Sequence, residues 1–146
     1  MSKFTVDTSQ LDKFAVKIDK FPTQAYKKVK DVVKTSTLNV ESNAKNNVTK
    51  NGSVDTGLLR NSINSKINSL EGIVSTNTKY ARYVEEGTKP HIIRPKNKQY
   101  LYWKGASHPV KQVNHPGSKP KPYMKPALEK EKPNFIKELQ KAVELD

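Results

Sequence analysis

One segment of this chain carries charge of a single sign. Residues 91–128 hold eight basic side chains and no aspartate or glutamate, and most of the chain's nine prolines fall in the same stretch. Like charges repel when such a segment folds, so it usually lies on a surface that meets a polyanion or an acidic partner. Proline cannot donate a backbone hydrogen bond, so any strand here must be short and lie at an edge or a turn. The alternative is an ordinary solvated face of a basic protein.

The predicted anion or partner contacts are the basic residues of this segment, with aromatic side chains between them. The contact residues are Arg94, Lys96, Lys98, Lys104, Lys111, Lys119 and Lys121. The interleaved aromatic residues are Tyr100, Tyr102, Trp103 and Tyr123. This pattern indicates what the protein touches and does not indicate any chemistry.

Composition limits the size of the core and the class of the protein. The chain has 146 residues, a formal net charge of +13 and only 34% apolar residues. We therefore expect one domain with a small core, with some apolar surface buried between subunits. Cysteine is absent, which excludes a disulfide framework, thiolate catalysis and cysteine-ligated zinc. There is no signal-peptide pattern and no apolar run of membrane-spanning length, so we expect a soluble protein without a membrane partner.

Apolar spacing predicts helices at both ends of the chain. Apolar residues recur every three or four positions over 11–21 and again over 25–48, as they do in amphipathic helices. A last helix begins at Met124. Pro133 interrupts its pattern, which predicts a kink or a restart there.

The middle of the chain alternates between strand and turn signals. Residues 63–77 alternate in polarity on either side of a turn at 70–72, which predicts a β-hairpin. A short helix over 80–86 should end at Gly87. The basic segment contains three short strand candidates, at 92–94, 100–103 and 110–113.

This order of elements predicts an α+β fold. We expect a small, largely antiparallel sheet packed against two N-terminal helices and a C-terminal helix. Residues 1–146 should form a single domain, from which a basic hairpin or arm projects at about 91–121.

The sequence offers no recognisable catalytic or metal site. His91, His108 and His115 lie in a region without carboxylates that could complete a zinc site. A metal-dependent nuclease built on these histidines would need a further ligand on a helix that follows at short range, and the sequence has none there. Glu85 and Glu86 are adjacent on the predicted short helix, about 100° apart around its axis, so they cannot face each other as an acid and a base. We predict no catalytic residue, no metal site and no cofactor.

Three blocks of the sequence span residues 54–63, 80–88 and 115–128. In this order and at these separations they resemble the neck and minor tail-component family of tailed phages, typified by gene product ten of coliphage Hong Kong 97. It is the three blocks together that are specific. The resemblance implies structural roles for Asp55, Gly57, Leu59, Arg60, Tyr80, Tyr83, Glu85, Gly87, Pro116, Gly117, Pro122 and Pro126.

The resemblance also implies how the blocks are used. The first block is the turn before the hairpin, with Arg60 making a polar contact. The second supplies the short helix, with Tyr80 and Tyr83 packing on the sheet. In the third, Pro122 and its neighbours Tyr123, Pro126 and Ala127 set the start of the last helix.

A function follows from the resemblance as an expectation. The protein would be a non-enzymatic virion protein of the head–tail junction, acting in tail completion or head–tail joining as part of a closed ring of six or twelve copies. Its partners would be its own copies, adjacent neck or tail proteins, and packaged DNA without sequence specificity. It would reside in the neck or tail of the virion, and in the host cytoplasm during assembly. The alternative is a sequence-nonspecific nucleic-acid-binding protein that uses the lysine and aromatic residues of 91–125.

Overall fold

The structure is a computed structural model that describes residues 2–3, 23–53 and 57–144. Its helices are α1 (Thr23–Lys50), α2 (Leu58–Ser62), α3 (Ala81–Glu86) and α4 (Met124–Val143). Its strands are β1 (Ser2–Lys3), β2 (Ile63–Ile67), β3 (Gly72–Thr76), β4 (His91–Ile93) and β5 (Val113–His115). The predicted α+β class is confirmed, with antiparallel pairing throughout the described strands. The helix predicted at 11–21 lies outside the described residues.

The main sheet contains the predicted hairpin. Strands β2 and β3 pair with Ile63 opposite Thr76 and Ile67 opposite Gly72, and β1 pairs along the other side of β3. The turn between β2 and β3 is closed by the Asn68 N–H, which donates to the Glu71 carbonyl over 2.8 Å. Strands β4 and β5 form a separate two-stranded sheet.

The core lies where α1 meets the sheet and the start of α4. Along α1, Val40, Ala44 and Val48 recur every four residues, which places them on one face. They pack with apolar residues of the other elements, among them Leu59, Ile63, Val74, Ala81, Tyr123, Met124 and Ala127. A smaller cluster joins Val29, near the start of α1, to Leu139 and Ala142, near the end of α4. The two long helices therefore run antiparallel.

One glycine lets the sheet approach α1 closely. A Cβ added to Gly72 would lie 1.7 Å from Oγ1 of Thr37, a buried side chain whose hydroxyl donates to the Val33 carbonyl over 2.6 Å. No side chain fits between β3 and α1 at this point.

The strands of the basic segment differ from their predicted positions. Strand β4 lies one residue earlier than 92–94, and β5 lies three residues later than 110–113. The predicted strand at 100–103 is wrong, because only one bridge, between Leu101 and Val110, is present there. The reason is a tight turn in which the Ala106 N–H donates to the Trp103 carbonyl, so the chain reverses before a ladder can extend.

Helix α4 continues through Pro133 and does not restart there. Proline lacks the N–H that would bond the carbonyl four residues earlier, and its ring crowds that carbonyl. Glu131 before it and Leu139 after it are both buried. Because tertiary packing supplies most of the stability of helices in proteins, contacts on both sides keep the helix continuous across the proline.

We expect Pro133→Ala to stabilise the protein. The exposed Pro133 costs about 3 kcal/mol relative to alanine inside a helix, and about 1 kcal/mol of this is offset because proline also restricts the unfolded chain. Chemical denaturation should show a gain of about 2 kcal/mol in the free energy of unfolding. Lys132→Ala, at the neighbouring exposed position, is the control and should change stability by less than about 0.5 kcal/mol. A loss of stability in Pro133→Ala would mean that the proline fits the helix without strain.

Candidate functional site

The basic segment leaves the body of the protein as a closed hairpin, here called the arm and defined as residues 88–121. At its base, Thr88 and Ser118 exchange two backbone hydrogen bonds of 3.0 Å each. Gly87 and Gly117 flank this bridge with φ of 72° and 85°. A Cβ on Gly87 would lie 2.4 Å from the Ser118 carbonyl oxygen, and one on Gly117 would lie 2.3 Å from that of Thr88. Both positions require glycine for conformation and for space.

Beyond its base the arm is a two-stranded ribbon with two distinct faces. His91 lies opposite His115, Ile92 opposite Asn114, and Ile93 opposite Val113. Side chains alternate along a strand, so the pairs 91/115 and 93/113 share one face and the pair 92/114 occupies the other. Further out, the bridge between Leu101 and Val110 leads to the turn at 103–106, which is the tip.

The predicted contact cations all lie on the surface of the arm. Arg94 donates from Nε to Oε1 of Gln112 over 3.4 Å. The other predicted contacts are exposed: Lys96, Lys98, Lys104, Lys111, Lys119 and Lys121. Within residues 23–53 and 57–144, ion pairs form only at Lys45, Arg82, Lys125 and Lys141. The described part of the chain therefore gives the seven arm cations no acidic partner.

Large apolar side chains are exposed beside these cations. Tyr102 is 69% exposed, Ile92 is 54% exposed and Trp103 is 49% exposed. Tyr100 and Ile93 are also exposed. Tyr123, the fourth aromatic residue of the basic segment, differs from the other three and lies at the start of α4. It is completely buried in the core, because it lies where α4 begins and its ring packs under α1.

Two of the three histidines come together at the base of the arm. The rings of His91 and His115 stack with centroids 5.0 Å apart. The Nδ1–H of His91 donates to the Lys89 carbonyl, and Nδ1 of His115 accepts from the Gly117 N–H. His108 bonds Ser107 near the tip. Among the described residues, no group of three or more potential ligand side chains is placed to hold a metal ion.

The arm is followed directly by a helix whose start is held by a carboxylate from α3. Oε2 of Glu85 accepts the N–H groups of Tyr123 and Met124 over 2.8 and 2.9 Å, and Oε1 accepts that of Lys125 over 2.9 Å. The next residue, Pro126, has no N–H to satisfy. Glu85 thus accepts every donor at the start of α4 that lacks a partner within the helix, and its negative charge faces the positive end of the helix dipole.

Comparison of the sequence with models of known protein families assigns this chain to a family. The family model described as "Bacteriophage HK97-gp10, putative tail-component" matches residues 12–87, just over half of the chain. The chain belongs to this family. The match confirms the resemblance, and it covers the first of the three sequence blocks and all but the last residue of the second. No curated protein and no solved structure matches the chain.

Membership is consistent with a structural role for this chain in a phage virion and argues against an enzyme. The matched range ends at Gly87, the glycine at the base of the arm. The body from α1 to α3 is therefore the part that the match covers. Within residues 23–53 and 57–144, no helix is both long and apolar enough to cross a membrane.

In this family member, the corner between α1 and α4 has further supports that sequence reasoning missed. Nδ2 of Asn47 donates to the Tyr123 carbonyl over 3.0 Å, and Nδ2 of Asn51 donates to that of Pro122 over 2.8 Å. Burial raises the pKa of the Tyr123 phenol, and the Glu85 carboxylate raises it further. The only sequence signal was the pair of asparagines four residues apart at the end of a predicted helix.

The first two blocks of the family resemblance are only partly placed as predicted. Gly57 adopts a φ of 73° before α2, and Leu59 is buried, whereas Arg60 is exposed and Asp55 lies outside the described residues. The predicted packing of Tyr80 and Tyr83 on the sheet is wrong. Both are exposed, Tyr83 by 60%, because Ala81 and Glu85 occupy the buried face of α3.

Proposed function

We propose that this protein is a subunit of the phage head–tail junction that acts in tail completion or head–tail joining. In this proposal residues 1–146 act as one domain, and copies form a closed ring of six or twelve. Family membership supports a structural role in the tail. The observation that carries the proposal further is an arm of exposed cations without acidic partners among the described residues, which suits a surface that docks on an acidic partner.

The arm is proposed to contact an adjacent neck or tail protein through Arg94, Lys96, Lys98 and Lys104. A charged arm of this kind provides specificity and orientation between rings, because complementary charges favour one docking arrangement over others. The ring itself would form through contacts between copies that repeat head to tail, which close only when the rotation divides a full turn. Exposed apolar residues on the long helices, Tyr26, Leu38 and Ile136, are available for such contacts.

Reversing three charges on the arm tests its role. Lys96→Glu, Lys98→Glu and Lys104→Glu together should leave the fold intact, because all three side chains are exposed. We expect heads and tails to remain unjoined when this variant replaces the wild-type protein, as counted by electron microscopy of lysates. A control with Lys28, Lys132 and Lys137 changed to glutamate alters the net charge equally at exposed positions of the long helices and should assemble far better. Normal yields from the arm variant would show that its lysines are merely solvated.

The ring is tested by reconstruction of the assembled particle. We expect six or twelve equivalent copies around the axis of the junction. A single asymmetric copy per particle, or the absence of the protein from the neck and tail, would contradict the proposal.

The alternative is a protein that binds nucleic acid without sequence preference. The observation in its favour is the exposure of Tyr100, Tyr102 and Trp103 beside lysines, a combination that grips single strands by stacking and charge. A thirty-nucleotide oligothymidylate is a suitable probe, with fluorescence anisotropy measured over a range of salt concentrations. Tight binding at physiological salt that is lost in Trp103→Ala would favour this alternative over a docking arm.

A further inference from the structure

We infer that the arm is enclosed on both of its faces by a cleft in an acidic partner protein, and is not laid along one surface or along DNA. This inference rests on the proposed function and adds the shape and chemistry of the partner.

Neither face of the ribbon is fully covered by the body of the protein, although the face of His91, Ile93 and His115 borders a groove beside Arg82, Tyr83 and Glu86 of α3. Ile92 is more than half exposed on one face, and Ile93 is exposed on the opposite face. All three residues of β4 are exposed, and in β5 Asn114 is exposed while Val113 and His115 are partly buried. A sheet that lies on a partner by one face normally keeps polar residues on the other. Here each face presents an isoleucine.

A two-stranded ribbon is also marginally stable by itself in water. The arm is held at its base by the bridge between Thr88 and Ser118 and further out by the single bridge between Leu101 and Val110. Neither bridge buries the isoleucines between them. Cover from a partner on both faces would remove this apolar surface from water and hold the ribbon in one register.

The partner must contact side chains rather than extend the sheet. Pro90, Pro95, Pro109 and Pro116 stand next to the paired segments, and proline interrupts the row of N–H donors that a further strand would need. Addition of a partner strand along either edge is therefore disfavoured, which leaves the two faces as the binding surfaces.

Charge and apolar content identify the partner as an acidic protein. A second copy of this chain is a poor match, because the chain carries a formal net charge of +13 and would on the whole repel the basic arm of another copy. Contact with duplex phosphates needs cations and polar donors and gives no reason to expose Ile92, Ile93, Tyr102 and Trp103. Protein interfaces, in contrast, bury aromatic anchors at the centre and keep charge at the rim.

Single cysteines can report on each face separately, because the chain has no cysteine of its own. Ile92→Cys and Asn114→Cys probe one face, and Ile93→Cys and Val113→Cys probe the other. Each variant is supplied to a phage that lacks the gene, and maleimide labelling rates are compared between the free chain and purified particles. The cysteine-free parent gives the background, and particles dissociated in denaturant show that each thiol can still react.

We expect labelling at both faces to slow at least tenfold in particles relative to the free chain. Protection of only one face would overturn the cleft, even if the protein is present in the neck or tail and the proposed function stands. Absence of the chain from particles would instead overturn the proposed function and this inference with it. The two failures are thus distinct.

The chemistry of the partner is tested with a benzophenone maleimide attached to Tyr102→Cys in assembled particles. After irradiation, mass spectrometry should find the arm joined to another phage polypeptide, at a segment rich in aspartate and glutamate. An adduct that nuclease digestion releases would identify DNA as the occupant, and an adduct to a second copy of this chain would identify a self-contact. Either result would overturn the inference.

Discussion

Replacing Glu85 with alanine is expected to lower the free energy of unfolding by about 5 kcal/mol, because three hydrogen bonds to a charged acceptor are lost and each contributes about 1.5–3 kcal/mol. The Glu85 carboxylate accepts three backbone N–H groups at the start of α4. Alanine would leave these donors without a partner in a buried corner, which is costly in itself. Guanidinium denaturation followed by circular dichroism would measure the loss.

The adjacent glutamate is the matched control. Glu86 makes an exposed ion pair with Arg82, so Glu86→Ala should change the free energy of unfolding by less than about 1 kcal/mol. Glu85→Gln should fall between the two variants, because its amide oxygen still accepts while its amide nitrogen confronts a backbone donor. If Glu85→Ala and Glu86→Ala lose similar amounts, the carboxylate does not hold the start of α4.

Replacing Gly117 with alanine is expected to open the base of the arm at a cost of about 3 kcal/mol, combining a left-handed backbone with a steric clash. The new Cβ would lie 2.3 Å from the Thr88 carbonyl oxygen, so the bridge between Thr88 and Ser118 could not form as it stands. Amide hydrogen exchange should show a loss of protection of roughly a hundredfold at these two residues, since about 1.4 kcal/mol corresponds to a factor of ten.

Gly105, at the tip of the arm, is the control that separates the cost of a left-handed backbone from the cost of a steric clash. It also has a positive φ, of 99°, but an added Cβ would meet nothing within 4 Å. Gly105→Ala should therefore show only the backbone cost, about 1 kcal/mol, and leave protection at the base unchanged. Equal protection at Thr88 and Ser118 in Gly117→Ala and in the wild type would mean that the base tolerates a side chain.

Local patterns in the sequence were enough to predict the main elements of the fold. Helix α1 follows from apolar residues at helical spacing, and the β2–β3 hairpin follows from alternation around a turn. Gly87 was predicted as the residue that ends α3, and it does follow α3 directly. Its contact with the Ser118 carbonyl could not be predicted, because it joins residues about thirty positions apart and depends on how the arm returns to the body.

The sequence was enough to predict the charge of the candidate site, but not which of its side chains are buried. The run of lysines without acids pointed to the arm, since charge density is a property of sequence alone. The resemblance implied a structural role for Glu85 but named no partner for it, and its partners are backbone groups 38 to 40 residues away. Tyr123 follows lysines and prolines in the same basic segment, yet it is buried in the core with residues of α1. Composition does not reveal which residue of a segment turns inward.

The closed base of the arm has a consequence for how this protein can change. The chain leaves the body at Thr88 and returns at Ser118, and these residues are hydrogen-bonded neighbours. The stability of the body therefore depends little on the number of residues between them, since lengthening a surface loop adds little to the free-energy cost of closing it. A shorter, longer or differently charged arm could be grafted at this point while α1, α3 and α4 keep their contacts. The arm can therefore change in sequence and length while the body stays the same, so the binding specificity of the arm can diverge without any alteration of the core.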